Sequence, residues 1–113
     1  MKNRTSYLDE IIRKRKERLE KERKEILERV KNALLRIREK YGIKEAYILG
    51  SLVRKNAWGE NSDVDVAVGG ASMHILSIMK EIEDVVNREV DVVDLDAVPV
   101  PDGFRRKGLR VYG

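Results

Sequence analysis

The chain has 113 residues, with 24 Lys and Arg against 20 Asp and Glu, so it carries +4 on a frame that is 39% charged and 42% hydrophobic. That is enough chain for one domain with a compact core. There is no cysteine and a single histidine, His74, which excludes a disulfide framework, a thiolate nucleophile, a zinc ribbon and a His-based triad, and leaves carboxylate and hard-cation chemistry.

No apolar run approaches the roughly 18 to 20 residues of a membrane span, and the N-terminus is charged without an apolar leader, so a cytoplasmic, non-membrane protein is expected. The lack of Gln and the wealth of Glu, Lys and Arg lean toward a thermophile stabilised by surface ion pairs. Charge is divided unevenly: residues 1–40 hold +7 and residues 41–113 hold −3.

In chain order, the first element is a long helix predicted over about residues 8–40. From Arg13 to Glu25 every residue but Leu19 is charged, and Glu17/Lys21, Glu20/Lys24, Lys21/Glu25 and Glu25/Arg29 stand at the spacing that supports a solvated helix. Leu8, Ile12, Leu19, Ile26, Val30, Leu34, Ile37 and Tyr41 form an apolar stripe that thickens toward the C-terminal end, and Gly42 supplies the stop. Such a helix is on the order of 50 Å long, against roughly 25 to 30 Å for a globule of this size, so one end overhangs. The half before Ile26 is expected to find little to bury against in its own domain. It reads as a solvated face, an arm for a partner or second copy, or a nucleic-acid arm, the last disfavoured by its interleaved Glu. The expected division is therefore residues 1–40 as helix, arm plus packing half, and residues 41–113 as the domain proper.

After Gly42 the pattern turns to strands at Ala46–Leu49, Val64–Val68 and Val90–Leu95. Between the last two, Ser72 to Val86 carries Ile75, Ile78, Met79, Ile82, Val85 and Val86 at helical spacing, with Ser72 as N-cap candidate. A short helix around Phe104–Lys107 and a strand-like Leu109–Tyr112 close the chain. The predicted fold is α/β, in the order α-β-β-α-β, with a small mixed sheet of three or four strands, helices on one face and an open acidic face on the other.

Asp63 and Asp65 lie at i and i+2, so on a strand both carboxylates leave the same face, about 6.5 to 7 Å apart at Cα. Such a pair suits Mg2+ held together with substrate phosphate oxygens. The third strand offers Asp91 and Asp94; if Val90 and Val92 face the core, Asp91 shares the face of the pair and Asp94 does not. Gly50 and Ser51 end the first strand in a turn whose N–H groups, with the Ser51 hydroxyl and Arg54, are expected to cradle phosphates. Trp58 reads either as packing under the loop or as a contact for a base or partner. His74 reads as a surface or cap-region residue, less readily as a nucleotide contact, and Arg105, Arg106, Lys107 and Arg110 read as a solvated face or a set of Asp/Glu partners, less readily as a phosphate or acidic-partner contact.

A strand, Gly-Ser, an Arg three residues on, Ser-Asp-x-Asp opening the next strand, then a helix and a strand with Val-Asp-Val-Val resembles the nucleotidyltransferase superfamily of β-type DNA polymerases, in particular its minimal prokaryotic members. The likeness spans about Tyr41 to Leu95. It implies that Asp63, Asp65 and Asp91 are the catalytic metal ligands for two Mg2+ ions, and that Gly50, Ser51, Arg54 and Ser62 contact the NTP. The chain departs from that pattern at Lys55, where Gly usually follows the Arg, and in having eleven rather than ten residues between Ser51 and Asp63. The implied activity is transfer of a nucleoside monophosphate, AMP from ATP, to a hydroxyl. Minimal nucleotidyltransferases of this kind often serve as antitoxins beside a helical HEPN toxin, and some modify a tyrosine of it. A HEPN-type partner or a homo-oligomer is thus expected, and nucleic acid is not. The alternative is a non-catalytic module that neutralises its partner by binding alone.

Overall fold

The computed structural model describes residues 3–113, with side chains from Ser6 onward. Helix α1 (Asn3–Ile37) leads to strand β1 (Glu45–Leu49), a 3-10 turn (Gly50–Val53), strand β2 (Val64–Gly69), a second 3-10 turn (Ser72–His74), helix α2 (Ile75–Val86), strand β3 (Val90–Asp94), helix α3 (Pro101–Lys107) and strand β4 (Leu109–Tyr112). The four strands form one mixed sheet in the order β3-β2-β1-β4. β1 is antiparallel to both neighbours, and β2 runs parallel to β3 because α2 carries the chain back across the sheet. No helix among the described residues is long and apolar enough to cross a membrane.

Strand alternation decides what each face of the sheet does. Ala46, Ile48, Val64, Val66, Val68 and Val90 point to one side and are buried beneath Ile26, Val30, Ala33, Leu34 and Ile37 of α1 and Ile78, Ile82 and Val86 of α2. On the other side Tyr47, Leu49, Ala67 and Leu95 make a smaller cluster under Phe104 of α3. That second cluster corrects the expected fold in one respect: α3 covers part of the acidic face. Its sequence signal was short, since Phe104 is the one large apolar residue that α3 carries inward.

α1 ends as the Gly42 stop predicts. Gly42 sits at φ +65°, its N–H bonds Glu39 O at 3.2 Å and the Ile43 N–H reaches back to Arg38 O at 2.9 Å, which satisfies the last carbonyls of the helix. The N-cap expected at Ser72 does not form. Ser72 opens a 3-10 turn, and α2 starts at Ile75 with His74 before it and no side-chain cap. Of the four helix ion pairs expected on α1, none is present among the described residues; Glu20 instead turns to Arg23 with hydrogen bonds of 2.6 to 3.0 Å.

The largest correction concerns the charged half of α1. Rather than leaving its own domain altogether, residues 15–25 dock on the loop between β1 and β2. Arg23, 8% exposed, donates from Nη1 to Leu52 O at 2.9 Å, and Glu20 accepts from the Asn56 N–H at 3.1 Å. Arg15 and Arg18 reach Glu60, and Leu19 packs against the core. Only the residues before about Arg15 overhang, which accounts for a molecule 61 Å long but 28 × 19 Å in section.

Candidate active site

The loop from Gly50 to Ser62 is built to bring backbone against carboxylate. Gly50 has φ +72°, and a Cβ placed on it would stand 2.7 Å from Asp65 Oδ2, so both the backbone conformation and the close approach require glycine. Leu49 pairs with Asp65 across β1 and β2, and Asp65 pairs with Asp91 across β2 and β3. Opposed residues share a face. Asp63, two residues before Asp65, shares it too, whereas Asp94 lies opposite Val68 on the other side, with Oδ1 accepting the Asp96 N–H at 3.0 Å.

Burial pushes the Asp65 carboxyl above its ordinary 3.8, and the neighbouring charges of Asp91 and Asp63 push it further. No lysine or arginine among the described residues forms an ion pair with any of the three. Among the described residues no three such ligands are gathered at metal-binding distance. The donor set nevertheless fits Mg2+: hard oxygen ligands, uncompensated charge, and an open face next to phosphate-sized space.

That space is a cleft of about 510 Å³ lined by Leu49, Gly50, Val53, Arg54, Asp65, Val93, Phe104 and Lys107. It joins one carboxylate and two cations to an apolar wall. Gly50, Arg54 and Asp65 were foreseen in it. Phe104 carries no such signal in the sequence, and Lys107 belongs to a basic cluster for which a phosphate contact is the lesser expectation; both arrive with α3, far along the chain. Arg105, of the same cluster, instead bonds Glu45 at 2.8 Å and Asp102 at 2.7 Å.

Ser51 lies in the 3-10 turn beside Gly50 without lining the cleft. Ser62 is occupied in the loop, where its Oγ accepts the Gly59 N–H at 2.8 Å. Lys55 is exposed at the loop tip. Trp58 is buried: its Nε1 donates to Glu22 at 2.9 Å, and the Arg88 guanidinium lies 4.6 Å from its ring centre. Arg88 also bonds Glu22 and donates to Ser62 O at 2.8 Å, clamping the loop to α1. His74, exposed at the head of α2, sits 5.1 Å from the Tyr41 ring.

The family model described as "Polymerase beta, Nucleotidyltransferase" matches residues 31–107. No curated protein matches the chain. Among solved structures, one described as a toxin-antitoxin with AMP-PNP is similar at a TM-score of 0.62 and 20% identity, over 74% of this chain and 73% of that one. A mutant of the toxin-antitoxin MntA-HpeT follows at 0.60 and 18%, over 74% and 72%. The toxin-antitoxin MntA-HepT is similar at 0.55 and 18%, over 74% and 70%. At these identities the likeness is one of fold.

Proposed function

The chain belongs to the polymerase β nucleotidyltransferase family, and from that premise we propose that it transfers a nucleoside monophosphate, AMP from ATP, to a protein hydroxyl. The observation that carries this is the register of β1, β2 and β3, which sets Asp65 beside Asp91 and against Gly50 at the edge of the cleft. Asp63, Asp65 and Asp91 would hold Mg2+, which when bound offsets the charge that develops on the attacking and leaving oxygens. Gly50 and Arg54, which line the cleft, hold the β- and γ-phosphates, and Lys107 faces them from α3 across it. Asp91, the most exposed of the cross-strand pair, accepts the proton of the acceptor hydroxyl. The new bond joins that oxygen to the α-phosphorus; the bond from the α-phosphorus to the bridging oxygen breaks, and pyrophosphate leaves with the electron pair.

The acceptor we assign to a partner is a tyrosine on a HEPN-type toxin, in a cytoplasmic toxin-antitoxin pair. Support comes from the similar structures, which are described as toxin-antitoxin complexes, one with AMP-PNP. In this reading residues 41–113 with the packing half of α1 form the transferase domain, and the charged N-terminal part is an addition. The test is transfer of label from α-labelled ATP with Mg2+ to the co-expressed neighbouring protein, followed by peptide mapping. Labelled tyrosine that disappears in Asp65→Asn supports the reading. Partner neutralisation that persists unchanged in Asp65→Asn without any label would establish the binding-only alternative.

A further inference from the structure

The apolar stripe of α1 does not stop where the body of the molecule stops. Counting back from Ile26 through Leu19, the same face continues through Ile12, Ile11, Leu8 and Tyr7. The last four are between 47% and 66% exposed. At Arg15 and Arg18, which bond Glu60, the helix leaves the body. Beyond that corner it forms an overhang with an apolar underside, and the matched family segment begins only at residue 31. A groove of about 270 Å³, lined by Lys16, Leu19, Glu20, Asn56 and Trp58, opens at the corner.

We propose that this overhang takes the same segment of a second copy of the chain, running antiparallel, as a two-fold arm-to-arm dimer. The arm is self-complementary at both edges of its stripe. On a helix advancing about 100° per residue, Asp9 and Lys16 fall within about 20° of each other at one edge, and Tyr7 and Arg18 within about 20° at the other. In an antiparallel pair each edge meets its own counterpart, and one axis near Ile12 places Asp9 beside the other copy's Lys16 and Tyr7 beside its Arg18. Two pairings on opposite edges thus select the same register, one an ion pair and one an aromatic ring against a guanidinium. A parallel pair would set the Asp9/Lys16 edge against the other copy's Tyr7/Arg18 edge and lose both pairings. Leu8, Ile11 and Ile12 fill the middle. The ledge is as long as the arm that would fill it, so each copy covers the other's exposed face. The contact is confined to one arm of each copy, so a weak, concentration-dependent dimer is expected. This inference is independent of the chemistry proposed above.

Sedimentation velocity on the full chain over a concentration series tests it, with Trp58 fluorescence as the check that the body stays folded. The expected result is a concentration-dependent dimer that Leu8→Lys or Ile12→Lys abolishes. Asp9→Lys or Lys16→Asp alone should weaken it on the order of 10-fold at low salt, and the two together should restore it, a rescue that only the antiparallel register gives. A chain that stays monomeric to ~500 µM, a dimer indifferent to Ile12→Lys, or a double exchange that fails to rescue would overturn the proposal.

Discussion

Asp65 is the residue on which geometry and electrostatics converge, and it is held at a cost. Its carboxyl is raised by burial and by the charges of Asp91 and Asp63, so the folded state binds a proton more readily than the unfolded chain. Stability on this account is greatest below the unfolded value and falls as the pH rises through the folded one. Asp65→Asn is therefore expected to raise the melting temperature at pH 7 while lowering nucleotidyl transfer about 100-fold or more, equivalent to at least ~2.7 kcal/mol of transition-state stabilisation. The paired melting and labelling measurements separate the site from the scaffold, because a merely structural residue would lose both together. Asp94→Asn, on the other face of β3, is expected to leave transfer within about 2-fold, and equal losses in Asp91→Asn and Asp94→Asn would break the assignment by register. Gly50→Ala forces a Cβ onto Asp65 at a positive φ. It is expected to cost about 1 to 2 kcal/mol in urea denaturation and to depress transfer in proportion to the displacement of Asp65.

At the scale of elements, the loop between β1 and β2 is held by residues whose sequence context is unremarkable. Arg88 touches Glu22, Trp58 and the Ser62 carbonyl at once, so Arg88→Ala leaves a half-buried carboxylate and an indole without their partner. A loss of about 2 to 3 kcal/mol is expected, with a shift in the emission of Trp58, the chain's single tryptophan. Glu20 provides a second handle. Its carboxyl is lowered to about 2, chiefly by its hydrogen bonds with Arg23, then by the Asn56 N–H. The stability it lends is full above the unfolded value near 4.5 and drains as the pH falls toward about 2, so acid should loosen the loop in that window and Glu20→Gln should remove this part of the transition, as read by Trp58 fluorescence. The strands and α2 were legible because alternation and helical spacing report burial of apolar side chains, and the face of Asp91 followed from the same alternation. The docking of residues 15–25 was not, because it rests on Arg23, Glu20 and Glu22, charged residues whose buried bonds leave no hydrophobic signature. Phe104 and Lys107 were missed as cleft residues for another reason: only the fold of the last 13 residues over the sheet brings them to Asp65.

Viewed whole, the molecule divides α1 into three physical regimes. Ile26, Val30, Ala33, Leu34 and Ile37 are core, residues 15–25 are mostly charged but docked through Arg15, Arg18, Glu20, Glu22 and Arg23, and Tyr7, Leu8, Ile11 and Ile12 are apolar but bare. Each regime answers differently to truncation. Removing residues 1–14 takes away the exposed Tyr7, Leu8, Ile11 and Ile12 and the surface ion pairs of Arg13 and Lys14 with Glu10 and Glu17, which contribute little in water, so at dilute concentration the melting temperature is expected to stay within about 2 °C and Mg–ATP binding to persist. Removing residues 1–24 also strips Arg15, Arg18, Leu19, Glu20, Glu22 and Arg23 from the loop. It leaves the Leu52 carbonyl and the Trp58 indole without their partners, and at about 4 to 8 °C per kcal/mol the melting temperature is expected to drop by roughly 10 °C or more. The two truncations also separate stability from association. If the bare segment is what meets another chain, the shorter truncation alone abolishes that contact while leaving the cleft and its nucleotide intact, as read by sedimentation beside calorimetric titration with Mg–ATP. Equal destabilisation by both truncations would mean that the overhang belongs to the folded body after all, and the division into docked and bare regimes would fail with it.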